Sequence, residues 1–170
     1  MGSRIRLEGE SKMKVKPHWS SYIPCLLRAM LNSEGDVLEL GTGLVSTPLL
    51  HWLCFDMDRK LVSYEGDKKY ADMNASFACD FHEVIYAPDW DAIDIEKKWG
   101  VALVDHQPDE RRHVEIARLA QFADFIIAHD SQPRWEKKFR YNDVSRLFKY
   151  RYDDKNSKTH TTVFSNFKEL

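Results

Sequence analysis

Two glycines one residue apart, at the end of a short apolar run, constrain this chain more than any other feature. Residues 36 to 48 read Asp-Val-Leu-Glu-Leu-Gly-Thr-Gly-Leu-Val-Ser-Thr-Pro. Val37, Leu38 and Leu40 predict a buried strand, and Gly41 and Gly43 permit a tight turn and close approach of a ligand to the backbone. Ser46 or Thr47 suits a helix N-cap and Pro48 the first helical position, so a helix is expected to follow the turn. The free N–H groups at such a helix start face an anionic or polar ligand. Ser46 stands where the third glycine of Gly-x-Gly-x-x-Gly would fall, so the dinucleotide fingerprint is only partly met.

A second strand, Leu61-Val62-Ser63-Tyr64-Glu65, ends in an acid. The distance from the glycines is near the ~20 residues expected of a carboxylate that accepts from ribose hydroxyls. Consecutive strand ends are neighbours in a doubly wound sheet, which places Gly41, Gly43 and Glu65 on one crevice. Alternatively Glu65 is a solvated acid before the turn Gly66-Asp67.

The chain has 170 residues, 43% hydrophobic and 31% charged, which fits one globular domain with a sizeable core. Its net charge of −2 and pI near 6.4 argue against a whole-protein basic footprint for nucleic acid. No apolar run reaches the ~18 residues that span a bilayer, so no membrane partner is expected. The start, Arg4 to Lys16, is polar, and Arg6 occupies the Ser/Thr position of a myristoylation signal. Cys25, Cys54 and Cys79 are too few and too spread for a zinc cluster, and odd in number for a disulfide framework. A reduced, cytoplasmic protein is the expectation.

Residues 1–16 lack periodicity and are expected to form a mobile arm, followed by a single domain over 17–170. Tyr22 to Leu31 carries apolar residues at helical spacing, with Ser21 as a cap. Further elements follow in alternation: a helix through Leu49 to Cys54, a weaker one over Lys68 to Ala78, a strand at Glu83–Tyr86, and a buried strand at Val101–Asp105. Then come a helix from Asp109, as cap, to Gln121, a strand at Phe125–Ala128, and two terminal strands at Leu147–Tyr152 and Thr161–Ser165. The pattern predicts a three-layer α/β/α sandwich on a mostly parallel, seven-stranded Rossmann-like sheet, with an antiparallel terminal strand pair.

With these motifs the chain resembles the class I S-adenosylmethionine-dependent methyltransferases over roughly residues 17 to 167. Val37 to Gly43 is similar to their cofactor motif, and Tyr64-Glu65 to the acid after their second strand. A closer similarity is to the catechol-type O-methyltransferases, through Val104-Asp105-His106 and Ala128-His129-Asp130-Ser131. That group uses two aspartates and an asparagine to hold magnesium. Here Asp105 and Asp130 match as metal candidates, His129 or Ser131 stands at the remaining position, and Gln107-Pro108 replaces the lysine that follows Asp-His.

The resemblance implies S-adenosylmethionine as cofactor and methyl transfer to oxygen or nitrogen of a small molecule. It places the cofactor's amino-acid end at Glu39, Gly41, Thr42 and Gly43, and its ribose at Glu65 and Gly66. Adenine falls between the Ala87-Pro88-Asp89-Trp90 loop and the start of the helix after strand four. Asp89 then accepts from the amine, and Trp90 either closes a wall or packs beneath the loop. Asp105, His106, His129 and Asp130 are the candidate proton acceptors, with His106 alternatively touching adenine or sitting exposed in its turn. His18, Trp19 and Tyr22 either fold over the cofactor or staple the first helix. Substrate choice falls to the arm, the segment 131–141, or a neighbouring subunit of a homo-oligomer.

Two other readings stand beside this one. A cofactor-binding or interaction module with little catalysis fits the incomplete metal motif. An RNA- or nucleotide-directed enzyme would use the basic and aromatic residues between 134 and 151, which a helix with a solvated cationic face also explains.

Overall fold

The computed structural model describes residues 17–170, with side chains from Trp19 onward; the arm expected at 1–16 lies outside the described residues. The first element is a 3-10 turn at Pro17–Ser20, followed by helix α1 (Ile23–Leu31). Seven strands follow: β1 (Val37–Leu40), β2 (Leu61–Glu65), β3 (His82–Tyr86), β4 (Trp99–Val104), β5 (Ala123–His129), β6 (Tyr150–Asp154) and β7 (Thr161–Ser165). They form one sheet in the order β3-β2-β1-β4-β5-β7-β6. All neighbours pair in parallel except β7, which is antiparallel to both β5 and β6. The architecture expected from the sequence is therefore present.

Between the strands lie α2 (Ser46–Asp56), α3 (Lys68–Asn74), α4 (Arg112–Leu119), and the single-turn helices α5 (Glu136–Phe139) and α6 (Tyr141–Val144). Strands β1, β4 and β5 are buried along their whole length, as their apolar runs require. Alternation sends Val37, Leu61, Leu103 and Ile127 toward α1 and α2, where they meet Tyr22, Leu26 and Leu50. Leu38, Leu40, Val62 and Ala102 go to the other face, against Trp90, Trp99 and Ile116. Glu39 and Ser63 are register partners and share the face of Val37 and Leu61, so both polar side chains lie under α2.

Several boundaries differ from the sequence expectation, each for a physical reason. Helix α2 begins after Val45 with no side-chain cap, because the Thr47 hydroxyl donates to the Glu39 carboxylate instead of capping. Ser21 likewise caps nothing; its hydroxyl lies 2.9 Å from His129 Nε2. Asp109 opens a 3-10 turn and pairs with Lys138 at 2.6 Å, so regular helix starts only at Arg112. Strand β6 runs past the Tyr152 end expected from the sequence, through Asp153 and Asp154, because the ladder pairs Asp154 with Thr161 and Thr162 donates to Asp153 at 2.7 Å.

Candidate functional site

The sheet reverses its strand order between β1 and β4, and a crevice opens there at the carboxyl ends of the strands. Gly41 has φ of +94°, and a Cβ there would meet His106 Cα at 2.5 Å, so the turn admits only glycine. Its N–H donates to Tyr64 O, and Asp105 N–H donates to Leu40 O, each at 2.9 Å, which locks the turn between β2 and β4. The N–H and hydroxyl of Thr42 donate to Glu65 Oε2 at 2.7 and 3.0 Å, and Asp67 N–H donates to Glu65 Oε1 at 2.8 Å. Glu65 thus fastens the turn to the end of β2. An ionised carboxylate has about four acceptor sites, so capacity for a further donor remains.

A cavity of about 350 Å³ opens on this turn. Gly41, Thr42, Gly43, Glu65, Asp105, His106, His129 and Asp130 line it, together with Trp19 and Tyr22. Glu39, Gly66, Asp89 and Trp90 are not in its wall. Glu39 is fully buried beneath α2. Asp89 is exposed and accepts from Asp91 N–H at 3.0 Å, a turn contact. Trp90 is 4% exposed, donates to Gln107 O at 2.9 Å, and would sit 3.1 Å from a Cβ on Gly66, so it supports the Gly66 backbone from below. Asp67 and Tyr70 line the crevice where sequence reasoning named Asp89 and Trp90. The side chain of His18 lies outside the described residues.

The far end of the cavity is built from two strand ends and one helix start. Asp105 follows β4, His129 closes β5, and Asp130 turns the chain with φ of +61°. His129 Nδ1 lies 3.2 Å from Asp105 Oδ2 and 3.7 Å from Asp130 Oδ2. The contact with Asp105 lacks hydrogen-bond alignment, so Ser21, His129 and Asp105 do not complete the relay of an acyl-transfer triad. Ser21 is not in the cavity wall, so its hydroxyl orients the ring rather than presenting a nucleophile. Burial alone would lower the His129 pKa, but the Asp105 and Asp130 carboxylates overcome it and raise the value above that of an ordinary imidazole.

Arg112, which sequence reasoning did not single out, organises this end. It is 3% exposed, and its guanidinium reaches Asp105 Oδ1 at 2.9 Å and Asp130 Oδ2 at 3.5 Å. It also donates to His106 O at 2.9 Å and to Asp105 O at 3.1 Å, and lies over the Phe139 ring at 5.2 Å. Burial pushes the Asp105 carboxyl up, yet Arg112 and His129 outweigh it and hold the pKa below the usual carboxylate range. One ligand atom from each of Asp105, His129 and Asp130 lies within 4.8 Å of the others, a spacing compatible with a metal ion. The guanidinium already bridges both acids and would be buried against any added divalent cation, so the donor set fits magnesium poorly.

His106 is 1% exposed, tilted over Trp90 at 4.2 Å, and carries no hydrogen bond on Nδ1. Its Nε2 is 3.1 Å from Glu115 Oε2, but the alignment is too poor for a hydrogen bond. Burial lowers its pKa, so the ring is neutral near pH 7. The basic segment after β5 turns Phe139 and Tyr141 into the core, and Tyr141 donates to His129 O at 3.0 Å. Lys138, Arg140 and Arg151 are paired with Asp109, Asp143 and Asp153. No helix among the described residues is long and apolar enough to cross a membrane.

No family model matches the chain, and no curated protein matches its sequence. Solved structures share its fold. An O-methyltransferase from Bacillus cereus in complex with SAH is 16% identical with a TM-score of 0.62, over 91% of this chain and 83% of that one. A methyltransferase from Pyrococcus furiosus is 17% identical with a TM-score of 0.62, over 95% and 89% of the two chains. The N-terminal domain of human METTL16 in complex with SAH is 11% identical with a TM-score of 0.62, over 92% and 73%. The chain therefore has the class I methyltransferase fold.

Proposed function

We propose that this protein is an S-adenosylmethionine-dependent methyltransferase acting on oxygen or nitrogen of a small molecule. The reading rests on one observation: the glycine turn, the Glu65 carboxylate and the Asp105–His129–Asp130 cluster share the wall of a single cavity of about 350 Å³. The SAH in two of the similar structures supports a cofactor of that class in the corresponding crevice. Gly41, Thr42 and Gly43 offer close backbone approach to its amino-acid end, and the remaining acceptor site of Glu65 suits a ribose hydroxyl.

The cofactor supplies an activated methyl group on a good leaving group; the protein's part is alignment, exclusion of water and removal of the acceptor's proton. His129 is suited to that last task. Its ring lies in the cavity wall with Nδ1 3.2 Å from Asp105 Oδ2, and the neighbouring carboxylates raise its affinity for a proton. Arg112 keeps Asp105 ionised for this purpose. Transfer of a labelled methyl group across a panel of phenols, alcohols and amines tests the proposal. Transfer that His129→Ala abolishes, while SAH still binds by calorimetry, supports it. Binding with no transfer to any acceptor would favour a binding module, and no binding would remove the cofactor.

A further inference from the structure

Beneath the glycine turn runs a chain of side chains that the methyl-transfer site does not itself use. Glu39, Ser63 and His82 lie on neighbouring strands β1, β2 and β3, on the face covered by α2. Thr47 and His51, four residues apart on α2, project down onto them. His51 Nδ1 is 3.0 Å from His82 Nδ1, and His82 Nε2 is 3.0 Å from Ser63 Oγ. Ser63 donates to Glu39 Oε2 at 2.6 Å. From the other side Gly43 N–H donates to Thr47 Oγ1 at 2.9 Å, and Thr47 donates to Glu39 at 3.1 Å. Glu39 and His82 are fully buried, whereas His51 is only partly so.

We propose that His51, His82 and Ser63 form a proton wire that lets Glu39 change its charge when the cofactor occupies the crevice, making these four positioning residues for the Gly43–Thr47 turn. This rests on the methyltransferase reading for the identity of the ligand. With Glu39 ionised, every bond points inward: His51 Nδ1–H to His82 Nδ1, His82 Nε2–H to Ser63 Oγ, and Ser63 O–H to Glu39. A proton taken up from solvent at His51 Nε2 displaces one along each link and ends on Glu39. All three bonds then survive reversed, with Glu39 donating to Ser63, Ser63 to His82 and His82 to His51.

The surroundings favour both states. Ser46, Ser63 and Thr47 bond the carboxylate, while Tyr22, Cys54 and the Glu65 charge also face it, and no lysine or arginine pairs with Glu39 among the described residues. Burial therefore outweighs the hydroxyl donors and pushes its pKa up to about 7. His82, lowered to about 4 by burial and by His51, relays a proton without storing it. A cofactor ammonium at the turn favours the ionised carboxylate, so binding should expel a proton.

SAH binding measured calorimetrically in buffers of different ionisation enthalpy reads this directly. Proton release near pH 6.5 is expected, with affinity falling by up to about tenfold per pH unit below the Glu39 midpoint. Glu39→Gln should abolish the release. Stopped-flow with a pH indicator should show slower release in His82→Gln and, should that variant fail to fold, in Ser63→Ala. In the ligand-free protein, the infrared carbonyl band of a protonated carboxyl should titrate near neutrality and vanish in Glu39→Gln. SAH binding with no proton change, release at wild-type speed in the folded relay variant, or no titrating band overturns the wire. Failure of SAH to bind, with the band present, overturns the cofactor reading and leaves the wire standing.

Discussion

Glu39 and Asp105 sit at the carboxyl ends of adjacent strands, yet the protein treats their carboxylates in opposite ways. Glu39 is surrounded by hydroxyl donors and keeps a pKa pushed up to about 7. Asp105 faces the Arg112 guanidinium and the His129 ring and is held below the usual carboxylate range. Neutral hydrogen bonds cannot replace the solvation a buried anion loses, whereas a full positive charge at 2.9 Å can. The difference separates a proton-labile carboxyl buried beneath the glycine turn from a permanently charged one in the cavity wall.

The sharpest way to break that division is to remove the cation. Arg112→Met should destabilise the protein by about 3 kcal/mol, the scale for one partner of a buried ion pair lost while the other remains. Denaturant unfolding at pH 7 measures it. A loss under about 1 kcal/mol would mean that solvent reaching Asp105, whose side chain is 27% exposed, already neutralises the site.

Glu39→Gln tests the other end and has a pH signature. A carboxyl whose pKa is raised on folding contributes stability that is complete below its unfolded value and is lost as pH rises through the folded one. Wild-type stability should therefore fall between about pH 4.5 and 7 by up to about 3 kcal/mol on account of this group. The variant should lack that slope and be the more stable protein at pH 8. Asp105, depressed, works in the reverse sense: its contribution is present near neutrality and disappears on acidification. Parallel stability curves for wild type and Glu39→Gln from pH 4 to 8 would show that folding leaves the Glu39 pKa unshifted.

Next in size is the ribose assignment. Glu65→Ala should weaken SAH binding by about 1.5–3 kcal/mol, the range for hydrogen bonds to a charged group. Part of that loss belongs to the turn itself, because Thr42 and Asp67 lose their acceptor as well. Glu65→Gln separates the two: it keeps an acceptor toward Thr42 but removes the charge. Equal affinity in wild type and Glu65→Ala, measured by calorimetry, refutes the assignment.

The glycine-turn half of the cavity was legible in the sequence because its residues are local. Strand, turn and acid recur at fixed spacings, and Gly41 is required by a positive φ that few other residues adopt. The half around Asp105, His129 and Asp130 depends on contacts that no spacing encodes. Arg112 reaches Asp130 across 18 positions, and Ser21 reaches His129 across 108. The sequence suggests Ser21, and Ser46 or Thr47, as helix caps, the commonest use of a hydroxyl before a helix, but Ser21 turns to His129 across 108 positions and Thr47 to Glu39 on the neighbouring strand. Trp90 shows the converse. An aromatic residue in that loop suited either a cofactor wall or packing beneath the loop, and Ile93 and Ile95, buried in the same cluster, carry it into the core.

Trp90→Phe should accordingly cost about 1 kcal/mol of stability, one hydrogen bond to Gln107 O and a little packing. SAH affinity should stay within about twofold, since twofold is only about 0.4 kcal/mol. A large loss of affinity at unchanged stability would move the indole into the cofactor wall.

The smallest expected effect is none at all, and it bears most directly on the charged end. If Arg112 supplies the positive charge that Asp105 and Asp130 require, a chelator should leave methyl transfer unchanged and added magnesium should not increase it. The guanidinium bonds both acids and two backbone carbonyls, so a divalent ion could enter only by displacing it. Activity lost to the chelator and restored by magnesium would therefore require Arg112 to swing off both carboxylates. In that case Arg112→Met should bind magnesium more tightly than wild type, which titration calorimetry can decide.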